Sequence, residues 1–146
     1  MDDGDREVME RFESCEIPLP EWNQRMHVSV AFVYLRKFGL DGALERMRAG
    51  VKKINAAHGV EESQFSGYNE TTTFAFLRIV DAVQKAYEGI FPARTAAEFC
   101  DLHPELMNKH VLRLFYSPDR RGHPEAKERF IEPDLAPLPE FRGDKE

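Results

Sequence analysis

His27 and Glu70 are the two side chains of this sequence with the strongest claim to acid–base chemistry. An imidazole has its ordinary pKa near neutrality, so it can take and return a proton at pH 7. A carboxyl group can do the complementary work when burial raises its pKa. His27 lies in an aromatic-rich segment, residues 22–38. The three- and four-residue steps of a helix put it on one face with Gln24, Ala31, Tyr34 and Phe38. An imidazole on such a face must find a hydrogen-bond partner or a ligand. Glu70 opens a second Phe-rich segment directly after Tyr68-Asn69, and Thr71, Thr72 and Thr73 follow it. The expectation is that both helix starts aim at one hollow. His27 and Glu70 would then be an acid–base pair, with Gln24, Tyr34, Tyr68, Asn69 and Thr73 orienting a small organic ligand. A plainer role is open to each of the pair. A carboxylate in a first helical turn is stabilised by the helix dipole alone, by about 0.3–1 kcal/mol. A core histidine is often simply a satisfied polar group.

The remaining reactive residues are weaker candidates. His58 precedes Gly59 and reads as a helix C-terminal residue, while His103 and His123 each precede proline and read as turn or cap residues. Cys15 and Cys100 form neither a disulfide framework nor a zinc spacing. Glu13 and Glu16 flank Cys15 and oppose thiolate formation. There is no glycine-rich phosphate loop, no His-Glu-x-x-His, no Gly-x-Ser-x-Gly and no calcium loop. No metal-ligand set and no cofactor is assigned.

The elements that must position these groups follow from periodicity. Residues 5–15 suit a short helix with Val8, Met9 and Phe12 inward, stopped by Pro18 and Pro20. Residues 22–38 are apolar nearly all round, which predicts a central helix, and Gly39 suits its C-cap. Asp41 suits the N-cap of a helix over 42–58. Its Leu44, Met47, Val51 and Ile54 form one face, and Glu45, Arg48, Lys52 and Lys53 a solvated one. Gly50 inside it predicts close approach of a neighbouring helix. Residues 60–69 read as a loop and Asn69 as the N-cap of a helix over 70–87. Thr95 and Glu98 have the capping-box form. Ser117-Pro118-Asp119 is a turn, and a short helix follows His123. Residues 132–139, rich in proline, lie extended. The predicted fold is all-α: one domain over 1–146, a compact bundle of three main helices with short helices and an extended C-terminal segment. Residues 1–4 and 140–146 are expected to be mobile.

Charge and composition exclude some functions. The net charge of −6 opposes nonspecific nucleic-acid binding, which needs cations to displace counterions. The basic residues are scattered, with Arg120 and Arg121 in a turn. No stretch approaches the ~20 apolar residues of a membrane span. The acidic N-terminus lacks the character of a signal peptide, which points to the cytoplasm. Two alternatives to an enzyme stay open. One is a noncatalytic ligand-binding domain. The other is an interaction domain or homo-oligomer that uses the Pro-rich end with Phe130 and Phe141.

Trp22-Asn23-Gln24-Arg25-Met26-His27, Asn55-Ala56-Ala57-His58-Gly59, Tyr68-Asn69-Glu70-Thr71 and Glu132-Pro133-Asp134-Leu135-Ala136-Pro137 carry a further signal. In that order, over about residues 20–139, they resemble a functionally uncharacterised family of small, mostly bacterial helical proteins. The family pattern reads Trp-Asn-His-x-x-His and Tyr-His-Glu-Thr. Three histidines and a glutamate would resemble a metal site. Gln24 and Asn69 stand here at two of the histidine positions, and amides are poor transition-metal ligands. The resemblance therefore implies a pocket kept for an organic ligand, with a residual metal site as the minor alternative. It brings no activity with it.

Overall fold

The computed structural model describes residues 1–141, so part of the C-terminal segment expected to be mobile, 142–146, lies outside the described residues. The fold is all-α. The helices are α1 (Asp3–Glu13), α2 (Gln24–Ala57), α3 (Glu70–Tyr87), α4 (Ala96–Leu102), α5 (Pro118–Arg121) and α6 (Pro124–Glu128). Turns of 3-10 helix cover Leu19–Glu21, Pro104–Met107 and Lys109–Leu114. Among the described residues there is no strand, only an isolated bridge between Ser63 and Ser66. No helix among them is long and apolar enough to cross a membrane.

α1 begins earlier than the sequence suggests. The Asp2 carboxylate accepts hydrogen bonds from the amides of Gly4 and Asp5, so the first turn is capped from residue 2.

The bent helix α2 is the hub, with α1, α3 and α4 packed against it. Its bend is at Gly39, where φ is 75° and ψ is −178°. That conformation is open to glycine and strained for other residues. The two predicted helices are thus two arms, 24–38 and 40–57, that meet at one residue. The junction is tighter than expected, and Asp41 falls inside the second arm instead of capping it. Residues 28–35 of the first arm are buried without interruption, as a central helix requires.

Gly50 lets α1 approach the second arm. A β-carbon built on it would lie 2.2 Å from the Phe12 ring, which is itself fully buried. At the other end of the chain, the Pro-rich segment lies along the body. The Tyr116 hydroxyl donates to the Ile131 carbonyl (2.8 Å), and the Leu135 amide donates to the Phe115 carbonyl (2.9 Å). The Ser117 hydroxyl donates to Asp134 at 2.6 Å.

Candidate functional site

A cavity of about 590 Å³ opens between the bent α2, α3 and the segment 109–121. Its apolar wall includes Val28, Ala31, Met47, Val51, Phe76 and Leu77. Its polar groups include Gln24, His27, Asn55, Tyr68, Asn69 and Thr73. Five of the seven residues expected at a site therefore share one hollow. Glu70 and Tyr34 do not line it.

His27 is positioned by the start of α2. The Asn23 side chain caps this helix by accepting from the Met26 amide (3.0 Å). The Asn23 carbonyl lies 2.7 Å from His27 Nδ1. A carbonyl can only accept, so Nδ1 carries the proton and Nε2 keeps its lone pair. The Trp22 ring covers the imidazole at 3.8 Å between centroids. Burial holds the His27 pKa below its ordinary value, against the raising effect of the Asn23 hydrogen bond. At pH 7 His27 is therefore a neutral base. Among the described residues Nε2 has no partner, and no fully buried side-chain polar atom is left unpaired. Nε2 is thus accessible from outside the packed core.

The two amides each use half of their hydrogen-bonding capacity on the fold. Gln24 Nε2 donates to the Leu106 carbonyl (3.1 Å), which leaves Oε1 unbonded. Asn69 Oδ1 caps α3 by accepting from the Thr72 amide (2.9 Å), which leaves Nδ2.

The loop before α3 carries Tyr68 and is held by two charged side chains. The Glu62 carboxylate accepts from the Tyr68 amide (3.1 Å). Lys127 of α6 donates to Glu62 (3.2 Å), to the Ser66 carbonyl (3.0 Å) and to the Tyr68 carbonyl (2.6 Å). Gly67 completes the turn with φ of 93°, and a β-carbon there would lie 1.8 Å from a Glu62 oxygen.

Glu70 is drawn away from the expected pairing with His27. Arg48, from the face expected to be solvated, donates to both of its oxygens at 2.8 and 2.6 Å. The Tyr68 hydroxyl donates to Oε1 at 2.7 Å. The Arg48 hydrogen bond outweighs burial and holds the Glu70 carboxyl below its ordinary pKa. Glu70 is thus a fixed carboxylate at neutral pH, and it meets the cavity wall only through Tyr68. Burial, with Glu70 beside it, pushes the Tyr68 hydroxyl up, so it stays protonated.

Tyr34 shares the helical face of His27 but lies seven residues on, about 10 Å along the axis. It is buried between Phe12 and Phe38, and its hydroxyl donates to Glu13 at 2.7 Å. Thr71 also has a structural partner: its hydroxyl donates to the Arg129 carbonyl (3.0 Å) and accepts from the Ile131 amide (3.2 Å).

Asn55 is the site residue that sequence reasoning missed. It is 9% exposed, lines the cavity, and its side-chain amide has no partner among the described residues. Its signal was present in the four-residue steps Met47, Val51, Asn55, which place it on the apolar face. Among the described residues no three His, Cys, Asp or Glu side chains are grouped to hold a metal ion. No family model, curated protein or solved structure matches this chain. Its own geometry carries the functional reading.

Proposed function

We propose that this chain binds a small organic molecule in the cavity beside α2 and α3, with His27 as the group there that can take a proton. The observation that carries this reading is that one hollow gathers four side chains with unbonded polar atoms. They are the Asn55 amide, His27 Nε2, Gln24 Oε1 and Asn69 Nδ2. No fully buried side-chain polar atom among the described residues is unpaired, so these groups remain accessible to a ligand in the hollow. A volume of about 590 Å³ is in the range of small-molecule sites. Mostly apolar walls with a few polar groups are also usual there. Glu70 enters this reading as the charge that orients Tyr68, not as a second proton carrier. The two cysteines are unpaired, which suits a reducing cytoplasm.

Trp22 lines the cavity and is the single tryptophan of the chain. Its emission therefore reports on occupancy. The test is titration with N-phenyl-1-naphthylamine, a neutral apolar fluorophore that accepts energy from tryptophan. The expected result is saturable quenching of Trp22 in the wild type and its loss in Thr73→Phe, which fills the cavity. Helical circular dichroism checks that the variant folds. No saturable quenching, or quenching unchanged by Thr73→Phe, overturns the proposal.

A further inference from the structure

Lys109, Arg113 and Arg121 also line the cavity, with His110 between the first two. Among the described residues none of the three cations has an ion-pair partner or an acceptor for a side-chain hydrogen bond. Several other cations of the chain are paired: Arg25 with Asp101, Arg48 with Glu70, Lys85 with Asp81 and Lys127 with Glu62. No aspartate or glutamate lines the cavity. A protein with 26 acidic and 20 basic side chains thus presents only the basic kind here.

The cations are close enough to oppose one another. Arg113 is the main cause that lowers the pKa of His110, and Lys109 and Arg121 add to it. Burial and Arg113 together lower the pKa of Arg121. Like charges held together without a counter-charge destabilise the empty state. Two guanidinium groups suit the planar oxygens of a carboxylate or the oxygens of a phosphate. Val28 and Ala31 of α2 and Phe76 of α3 add apolar surface to the same cavity.

We infer that the ligand of this cavity is an organic anion, its apolar body against Val28, Ala31 and Phe76 and its carboxylate or phosphate head at Lys109, Arg113 and Arg121. This rests on the cavity being a ligand site. A nucleic acid would need a broad basic surface, and this cluster is confined to the rim of one hollow on an otherwise acidic molecule.

The test is displacement of bound N-phenyl-1-naphthylamine by three competitors with the same alkyl chain: octanoate, monooctyl phosphate and octan-1-ol. The expected result is that at least one anion displaces the fluorophore at about tenfold lower concentration than the alcohol, the scale of charge-assisted hydrogen bonds. In Arg113→Gln/Arg121→Gln that ratio falls toward one. Which anion wins identifies the head group. Equal potency of anions and alcohol in the wild type overturns the inference and leaves the cavity reading intact. So does an anion preference that survives the double substitution. If the fluorophore itself does not bind, the cavity reading fails and this inference fails with it.

Discussion

Arg48 and Glu70 are joined by two hydrogen bonds, 2.8 and 2.6 Å long, that tie the second arm of α2 to the first turn of α3. The Glu70 side chain is 10% exposed and that of Arg48 is 39% exposed. Removing the guanidinium leaves a mostly buried carboxylate with only Tyr68 as donor. Arg48→Met is expected to destabilise the fold by about 1–2 kcal/mol, a charged hydrogen-bond value discounted for solvent screening. Urea unfolding at pH 7 measures it.

The same pair sets a pH dependence. The Glu70 pKa is lower in the folded chain than its ordinary value. Its contribution to stability is therefore full above the unfolded pKa of about 4.3. It is lost as pH falls further, through the folded value. The stability gap between wild type and Glu70→Gln should be constant from pH 7 to 5 and shrink below that. A gap that grows on acidification contradicts this assignment.

The main helices and several of their ends were legible in the sequence because they follow local rules. Asn69 and Thr95 act within one helical turn of themselves, and each is the N-cap its residue type suggests, whereas Gly39, expected as a C-cap, is the bend inside α2. The pairing of Arg48 was not legible. Its spacing with Lys52 and Lys53 reads as a solvated face, and the carboxylate that claims it is 22 residues away. Tyr34 shows the reverse error. The helical wheel placed it correctly beside His27 in angle, but a wheel carries no information on how far along the axis a cavity extends. The cationic cluster was hidden for a third reason. Arg113 and Arg121 belong to separate short turns, and only tertiary packing brings them to one hollow.

Gly50 faces the Phe12 ring at a distance that leaves no room for a methyl group. Alanine should gain about 1 kcal/mol in helix propensity. Overpacking costs typically about 1–3 kcal/mol, so Gly50→Ala is expected to be neutral to destabilising despite the better helix former. The sign is clearer in a double-mutant cycle. In a Phe12→Leu background, Gly50→Ala should be less harmful than in the wild type. Equal effects in both backgrounds would show that this contact does not govern the site.

Lys127 fastens the Tyr68 loop through Glu62 and two carbonyls. Lys127→Met keeps the aliphatic stem and removes all three bonds. The expected outcome is faster amide exchange at Gly67 and Tyr68, by about tenfold or more. Exchange in the middle of α3 should change little. Uniform acceleration across α3 would indicate global destabilisation instead of a freed loop.

His27 gives the most direct reading of the cavity. Nδ1 is committed to the Asn23 carbonyl, so the neutral tautomer with a bare Nε2 is the one the fold selects. Burial lowers its pKa, and the charged form is disfavoured in the folded chain relative to the unfolded one. Its contribution to stability is thus full above the unfolded value of about 6.5 and declines as pH falls through the folded one. Nitrogen-15 NMR of the imidazole should show a protonated Nδ1 and an unprotonated Nε2 at pH 7, with a titration midpoint below about 6.5. His27→Gln should remove this part of the acid sensitivity between pH 7 and 5. A proton on Nε2 at neutral pH, or a midpoint above the ordinary histidine value, would mean that the ring faces a different environment and that the base assigned to the cavity is absent.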